Sequence, residues 1–189
     1  MDNEKIINGI FWITAAILIF LEFLALGMNS HYKFDFIFLM LLLVGLFYLR
    51  KKIGLHWSHF LLYCMFLLIH DVGMFKTYEI TLSGIEYDYM VHLFFGMVAA
   101  LILMRTYHHT GTDHGFMKYI MVIVIVLGFS AAHELYEFGG AILLGEGEGV
   151  LFIGAGDLDE WDTQKDMLNN FIGGLLGMGL YALTVREKR

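Results

Sequence analysis

The 189-residue sequence is 58% hydrophobic and only 16% charged, contains no proline and has a formal net charge of −7. Soluble domains are usually about half apolar and roughly a quarter charged, so this composition indicates a membrane protein. The acidic balance argues against a nucleic-acid partner, which needs basic patches. The single cysteine, Cys64, leaves no disulfide framework.

Six apolar segments follow one another along the chain. They cover approximately residues 6–28, 34–49, 53–75, 87–104, 116–144 and 166–185. A transmembrane helix needs about 20 mostly apolar residues, within a range of roughly 17 to 25. The runs are continuous rather than alternating, and lipid accepts only helices or closed barrels. We therefore expect an all-α fold in which residues 1–189 form a single integral membrane domain, a bundle of six transmembrane helices.

Positive charges are unequally distributed between the two ends of this bundle. If the N-terminus lies inside, nine of the twelve Lys and Arg residues fall on the inner side, including the turn Arg50-Lys51-Lys52. The positive-inside rule then predicts that both termini are cytoplasmic.

Acidic and histidine side chains interrupt five of the segments at a similar depth on the outer side. Asp162, Asp166 and Asn170 open the sixth segment at four-residue spacing, which places them on one face of a helix. The other members of this set are Glu22, His70, Asp71, Asp88, His92, His133, Glu134 and Glu137. Ionisable residues at this depth usually face the bundle interior or a wet cavity and mark function. For Glu22 or His70 alone, a packing role explains the residue equally well.

Carboxylates that lie this close together cannot all be ionised in a low dielectric. Either some stay protonated, as in a proton relay, or a divalent cation neutralises them. Carboxylate oxygens with one imidazole suit Mg, Mn or Zn. The expected ligands are Asp88, His92, Glu137 and Asp166. Glu134 or Asp162 is then the candidate general base, and Asn170 is expected to orient a ligand or the substrate.

Familiar catalytic motifs match this region poorly. The stretch His133-Glu134-Leu135-Tyr136-Glu137 is close to H-E-x-x-H but has Glu where the second zinc ligand belongs, which argues against a zinc protease. Ser130 is a candidate nucleophile without supporting context.

Glycines mark two other features. The loop 145–156 contains six glycines and is either a free outer loop or a lid over the acids. Gly173, Gly174, Gly177 and Gly179 give the sixth segment a small-residue face, for which packing within the chain is favoured over dimerisation.

Three blocks of sequence resemble the YjdF-like family of bacterial inner-membrane proteins, which has no established activity. They are Asp88-x-x-x-His92-Leu93-Phe94, Glu134-x-x-Glu137, and Gly156-Asp157 with Trp161-Asp162-x-Gln164-Lys165-Asp166-Met167. Here Leu158-Asp159-Glu160 lengthen the interval before the Trp, which weakens any fixed role for Asp157. The order Asp-x-x-x-His, Glu, Asp-x-x-x-Asn is also distantly similar to VanZ-type proteins. The resemblance implies a multi-pass protein of the bacterial cytoplasmic (inner) membrane.

The favoured function is that of a divalent-metal-dependent hydrolase acting at the outer leaflet on a lipid or lipid-linked envelope substrate. One alternative is an ion- or proton-coupled transporter that uses the same acids. The apparent lack of an inverted repeat and the crowding of the acids into one half of the membrane argue mildly against it. A third interpretation is a non-catalytic membrane subunit whose polar cluster locks helices together. The sequence leaves the oligomeric state open.

Overall fold

A computed structural model describes residues 2–28, 35–75, 77–82, 84–111, 115–144 and 161–186. Within these ranges there are six α-helices: α1 (Asn3–Met28), α2 (Asp35–Leu49), α3 (Trp57–Val72), α4 (Tyr87–Thr110), α5 (Met117–Leu144) and α6 (Asp162–Arg186). The predicted all-α class is confirmed. The loop 145–156 and Asp157 lie outside the described residues, as does the side chain of Glu137.

Three stretches of helix are long and apolar enough to cross a membrane: Asn3–Met28, Tyr87–Thr110 and Met117–Tyr136. Two shorter apolar helical stretches, Phe36–Leu49 and Trp57–Val72, accompany them. Helix α6 has 25 residues, a length of about 37 Å at 1.5 Å per residue, but its first turns carry the polar residues. Six spans and cytoplasmic termini therefore remain predictions.

The third apolar segment was predicted too long at both ends. Gly54 has a left-handed φ of +61° and His56 an extended backbone, so residues 53–56 form a turn before α3. At the other end, α3 stops at Val72. Two short 3-10 helices (Gly73–Phe75 and Thr77–Glu79) and a hairpin of β1 (Thr81–Leu82) and β2 (Ile85–Glu86) lead to α4. In the hairpin Thr81 pairs with Glu86, and Leu82 pairs with Ile85.

Helices α4 and α6 both extend beyond their predicted apolar segments. Helix α4 continues past residue 104 to Thr110 and ends at Gly111, whose φ of +68° is left-handed. Helix α6 begins at Asp162 rather than at residue 166. Hydropathy identifies only the part of a helix that matches lipid, so the polar turns at these helix ends were missed.

The buried side chains form two main clusters. Helices α1 to α3 enclose one of them, with Ile7, Leu43, Phe60 and Cys64 among its members. Helices α4 to α6 enclose the other, around Leu101, Val122, Val126 and Met178. Helix α4 contributes Val91 to the first cluster, so it joins the two halves of the bundle.

The most extensive helix pair in the described part of the chain is α4 with α6. Glycine lets the two backbones touch: a Cβ on Gly173 would collide with the carbonyl of Leu93, and one on Gly177 with the carbonyl of Met97. From α4, a Cβ on Gly96 would collide with the carbonyl of Asn170. These contacts advance along both chains together, so the helices run parallel. Gly173, Gly174 and Gly177 of the predicted small-residue face thus pack within the chain, whereas Gly179 does not take part.

Replacing Gly173 with Ala should destabilise the protein. The new methyl group would meet the backbone of α4, which cannot move aside as a flexible side chain can, and overpacking typically costs about 1–3 kcal/mol. Gly179→Ala is the matched control, because no described atom lies within 4 Å of a Cβ built there. Thermal unfolding of both variants in detergent measures the difference. Equal melting temperatures for the two variants would contradict the close α4–α6 contact.

Candidate functional site

The first turns of α4 and α6 lie side by side because the two helices are parallel and in contact. Each carries polar residues at four-residue spacing, Asp88 and His92 on α4, and Asp166 and Asn170 on α6. Helix α5 runs the other way and places Ser130 against Asn170. Three helices therefore bring their polar faces to one location.

Asp88, His92 and Asp166 form a compact group. The Nε2 atom of His92 lies 3.5 Å from Oδ1 of Asp88 and 3.7 Å from Oδ2 of Asp166. One ligand atom from each of the three residues lies within 4.8 Å of the others. Ligands bound at about 2.0–2.2 Å from one ion have comparable mutual separations, so these residues can hold a divalent cation. Of the four ligands that the sequence predicts, all except Glu137 therefore lie together.

Negative charge is concentrated around Asp166, whose residue is only 2% exposed. Its carboxyl group is within hydrogen-bonding reach of Asp88 and lies in the field of Asp162 and Glu134. The Oδ1 atom of Asp166 has no hydrogen-bond partner among the described residues. Such a buried group is not stable as a set of bare carboxylates, so a proton or a cation must balance it.

Asn170 connects this group to α5. Its Nδ2 amide donates to Oγ of Ser130 at 2.7 Å and lies 3.0 Å from Nδ1 of His92. In this orientation Nδ1 of His92 is the acceptor, and its proton resides on Nε2, facing the carboxylates. The Oδ1 atom of Asn170 is buried without a hydrogen-bond partner in the described part of the chain.

The opposite amide orientation fits a metal-ligating histidine. An Asn side chain has nearly the same shape when its oxygen and nitrogen are exchanged. With Oδ1 facing His92, the amide would accept a hydrogen bond from Nδ1–H, which leaves the Nε2 lone pair for an ion. A metal-bound histidine usually donates its other ring N–H in this way. Asn170 can therefore support His92 with or without a cation.

The structure adds Ser130, to which the sequence gave little weight. Ser130 lies one turn before the predicted base Glu134 on α5, and the two residues are 1% and 4% exposed. The four-residue interval between Ser130 and Glu134 is the feature of the sequence that could have placed Ser130 on the polar face of α5. The ring of His133 lies between the rings of His92 and His70, with centroid distances of 5.9 and 6.1 Å. His70 in turn shares a hydrogen bond with the hydroxyl of Tyr78.

Glu22 and Asp71, two other acids predicted near the outer side of the bundle, are charge neighbours of each other. Asp71 on α3 is fully buried, and neither of its carboxylate oxygens has a hydrogen-bond partner among the described residues. Its charge neighbour is Glu22 of α1. The group of Asp88, His92 and Asp166 does not include this pair.

Comparison with known proteins identifies the family. Residues 7–187 match the model of the family described as "Predicted membrane protein (DUF2238)". The chain belongs to this family. It is also 37% identical over 98 residues to "Inner membrane protein YjdF" of Escherichia coli (strain K12). That match covers 50% of this chain and 44% of the relative, so the chain spans under half of that protein's length. No solved structure matches.

These findings confirm two predictions. The chain is YjdF-like, and it is a multi-pass protein of the bacterial inner membrane. The distant similarity to VanZ-type proteins stays a prediction, as do the metal and the roles of individual site residues.

Replacing Asn170 with Ala should cost about 1–3 kcal/mol of stability, because His92 and Ser130 would lose their buried hydrogen-bond donor. Asn169→Ala is the control, since that amide only bonds the carbonyl of Lys165 on the exposed side of α6. Surface changes of this kind typically cost no more than about 0.5 kcal/mol. Thermal melts of the two variants provide the comparison. If Asn169→Ala lowers the melting temperature as much as Asn170→Ala, the buried network does not stabilise the site.

Proposed function

We propose that this protein is a divalent-metal-dependent membrane enzyme of the hydrolase type that acts on a lipid or lipid-linked envelope substrate. The observation that carries the proposal is the approach of Asp88, His92 and Asp166, whose ligand atoms lie within 4.8 Å of one another. In this proposal the three residues bind Zn, Mn or Mg, and Glu137 is the fourth ligand.

Three carboxylates and one imidazole would leave two positions for water and substrate on a six-coordinate ion such as Mn or Mg, whereas Zn would have to expand beyond four ligands. A divalent ion held by these residues would lower the pKa of a bound water. Glu134 or Asp162 would then serve as the base that takes a proton from water as the water oxygen bonds to the carbonyl carbon or phosphorus of an ester. The leaving oxygen then takes the proton back from the carboxylic acid. Asn170 holds the imidazole of His92 in place.

The surroundings of the group support a substrate from the bilayer. Met90, Leu135 and Leu168 lie on the same three helices as the polar residues and are 50%, 70% and 57% exposed. Large apolar side chains with this exposure suit contact with lipid tails. A lipid-linked substrate could thus approach along these helices and place its polar head between them.

Metal binding is the first test of this function. Purified protein should bind about one divalent ion, and Asp166→Asn should weaken binding by more than the ~10–100-fold that is typical when an outer-shell partner is lost. Glu86→Gln is the matched control, because Glu86 is exposed, lies just before α4 and makes no side-chain capping bond. Elemental analysis and calorimetric titration give the two quantities. Full binding by Asp166→Asn would contradict the proposed ligand set.

Hydrolysis is tested separately from metal binding. Metal-loaded protein is incubated with a lipid extract of bacterial envelopes that includes lipid-linked intermediates, and mass spectrometry compares the products. New hydrolytic products are expected with the wild type and with Glu86→Gln, and none with Asp166→Asn. Products that form equally with Asp166→Asn would refute the proposed catalytic role.

An ion- or proton-coupled transporter is the second candidate, and the half-buried Glu22 beside the fully buried Asp71 favours it. The Asp71 carboxyl lacks a described hydrogen-bond partner although it is fully buried. A second acid site in the outer half of the bundle suits a relay. Ion or proton flux into proteoliposomes that is lost in Glu134→Gln or Asp71→Asn, together with absence of hydrolysis, would favour the transporter.

In a non-catalytic subunit both activities would be absent, and Asp88→Asn would lower only the melting temperature.

A further inference from the structure

A cavity lies at the opposite end of the bundle from the acid group. It has a volume of about 470 Å³ and is formed where α1 begins, where α2 turns into α3, and where α4 ends. Small-molecule sites usually enclose about 300–1,000 Å³, so the cavity is large enough for a phosphate-bearing group with its neighbouring atoms.

Hydrogen bonds between distant parts of the chain hold this cavity in shape. The side chain of Asn3 donates to the carbonyl of Leu55 at 3.0 Å and accepts from the amide of Trp57 at 2.9 Å. Nε of Arg105, from α4, donates to the carbonyl of Gly54 at 2.9 Å. Three helices are thus tied to one turn. A turn that only directs membrane topology needs positive charge but not this architecture.

Positive charge predominates in the lining. Three described lining residues, Arg50, Lys51 and Arg105, are cationic and one, Glu4, is a carboxylate. Glu4 lies 3.2 Å from Arg50 and 3.9 Å from Lys51, and Arg50 also donates to the carbonyl of Phe47 at 2.7 Å. The imidazole of His109 completes this side, against Gly54. Arg105 bonds the carbonyl of Gly54 through Nε and lies within hydrogen-bonding reach of the hydroxyl of Tyr181, and its guanidinium carries five N–H donors in all, so donors remain for a ligand. Guanidinium groups bind phosphate oxygens with good geometry.

Large exposed side chains adjoin the cavity-lining residues in the sequence, since Tyr48 and Leu49 precede Arg50 and Trp57 follows His56. Tyr48 is 82% exposed, and Leu49 and Trp57 are 42% and 36% exposed. Tyr and Trp are enriched where a protein meets the headgroup region of a bilayer. A ligand with a phosphate head and acyl chains would meet both the charged lining and this apolar border.

We propose that this cavity binds the phosphate of an anionic ligand, and that a phospholipid headgroup is the natural source. Arg50, Lys51 and Arg105 hold the phosphate, while Tyr48, Leu49 and Trp57 contact the start of the acyl chains. This site is independent of the metal site, because the two use different residues at opposite ends of the bundle.

Binding is measured by calorimetry on the purified protein in a neutral detergent with short-chain phosphatidylglycerol, short-chain phosphatidylcholine and inorganic phosphate. Saturable binding of phosphatidylglycerol is expected, with phosphatidylcholine at least about tenfold weaker. Arg105→Gln should weaken phosphatidylglycerol binding about tenfold or more, because a charge-assisted bond is lost. Lys52→Gln is the matched control. It removes one positive charge from an exposed residue of the same turn that does not line the cavity, so it should change affinity by less than about twofold at physiological salt.

Each other outcome decides against part or all of the proposal. Equal losses in Arg105→Gln and Lys52→Gln would mean non-specific attraction and overturn the site. Equal binding of the two lipids, or no binding of phosphatidylglycerol and phosphate, would also overturn it. Inorganic phosphate that binds as tightly as phosphatidylglycerol would confirm the anion site and overturn the lipid as its source. A melting curve of Arg105→Gln without lipid checks that the variant is folded. If Arg105→Gln is unfolded, Lys51→Gln is tested instead, again with Lys52→Gln as the control. Lys51→Gln should weaken phosphatidylglycerol binding at least about threefold.

Discussion

The backbone contact between α4 and α6 is the constraint on which the site depends. Helix axes in globular proteins usually lie 8–10 Å apart, and small residues at the interface let them approach more closely. Here Gly96, Gly173 and Gly177 leave no room for a Cβ between the two helices. The short side chain of Asp166 can therefore reach Nε2 of His92 across the interface, at the atom that Asp88 approaches from one turn earlier on α4. With a wider spacing, the same residues would lie on facing helices without forming one group.

Because α4 and α6 run parallel, both of their N-termini lie beside the acidic side chains. Asp88 lies in the first turn of α4 and Asp162 in the first turn of α6. Helix N-termini carry a partial positive charge that stabilises nearby anions by about 0.3–1 kcal/mol each. This is too little to hold several buried carboxylates, so a proton or a cation is still needed. Asn170 accommodates either state, because its amide can donate to Nδ1 of His92 or accept from it.

Much of the site followed from the sequence because its residues obey helical spacing. Continuous apolar runs located the helices, and four-residue spacing placed Asp88 with His92 and Asp166 with Asn170. The hydrogen bond between Ser130 and Asn170 could not be predicted, since only the packing of α5 on α6 brings the two residues together. The hairpin before α4 and the early end of α3 were missed because local turn geometry decides them, not hydropathy. The cavity lined by Arg50 and Arg105 could not be predicted from the sequence, because its lining residues are far apart in the chain.

The central claim is that α4 and α6 together present an imidazole and two carboxylates to one divalent ion. Electron spin echo measurements on the Mn²⁺-loaded protein test this most directly, since they detect nitrogen bonded to the metal. Coupling to one imidazole nitrogen is expected. It should be lost in His92→Gln and retained in His59→Gln, whose ring packs near Tyr181, away from the group. Coupling that persists unchanged in His92→Gln would rule out His92 as a ligand.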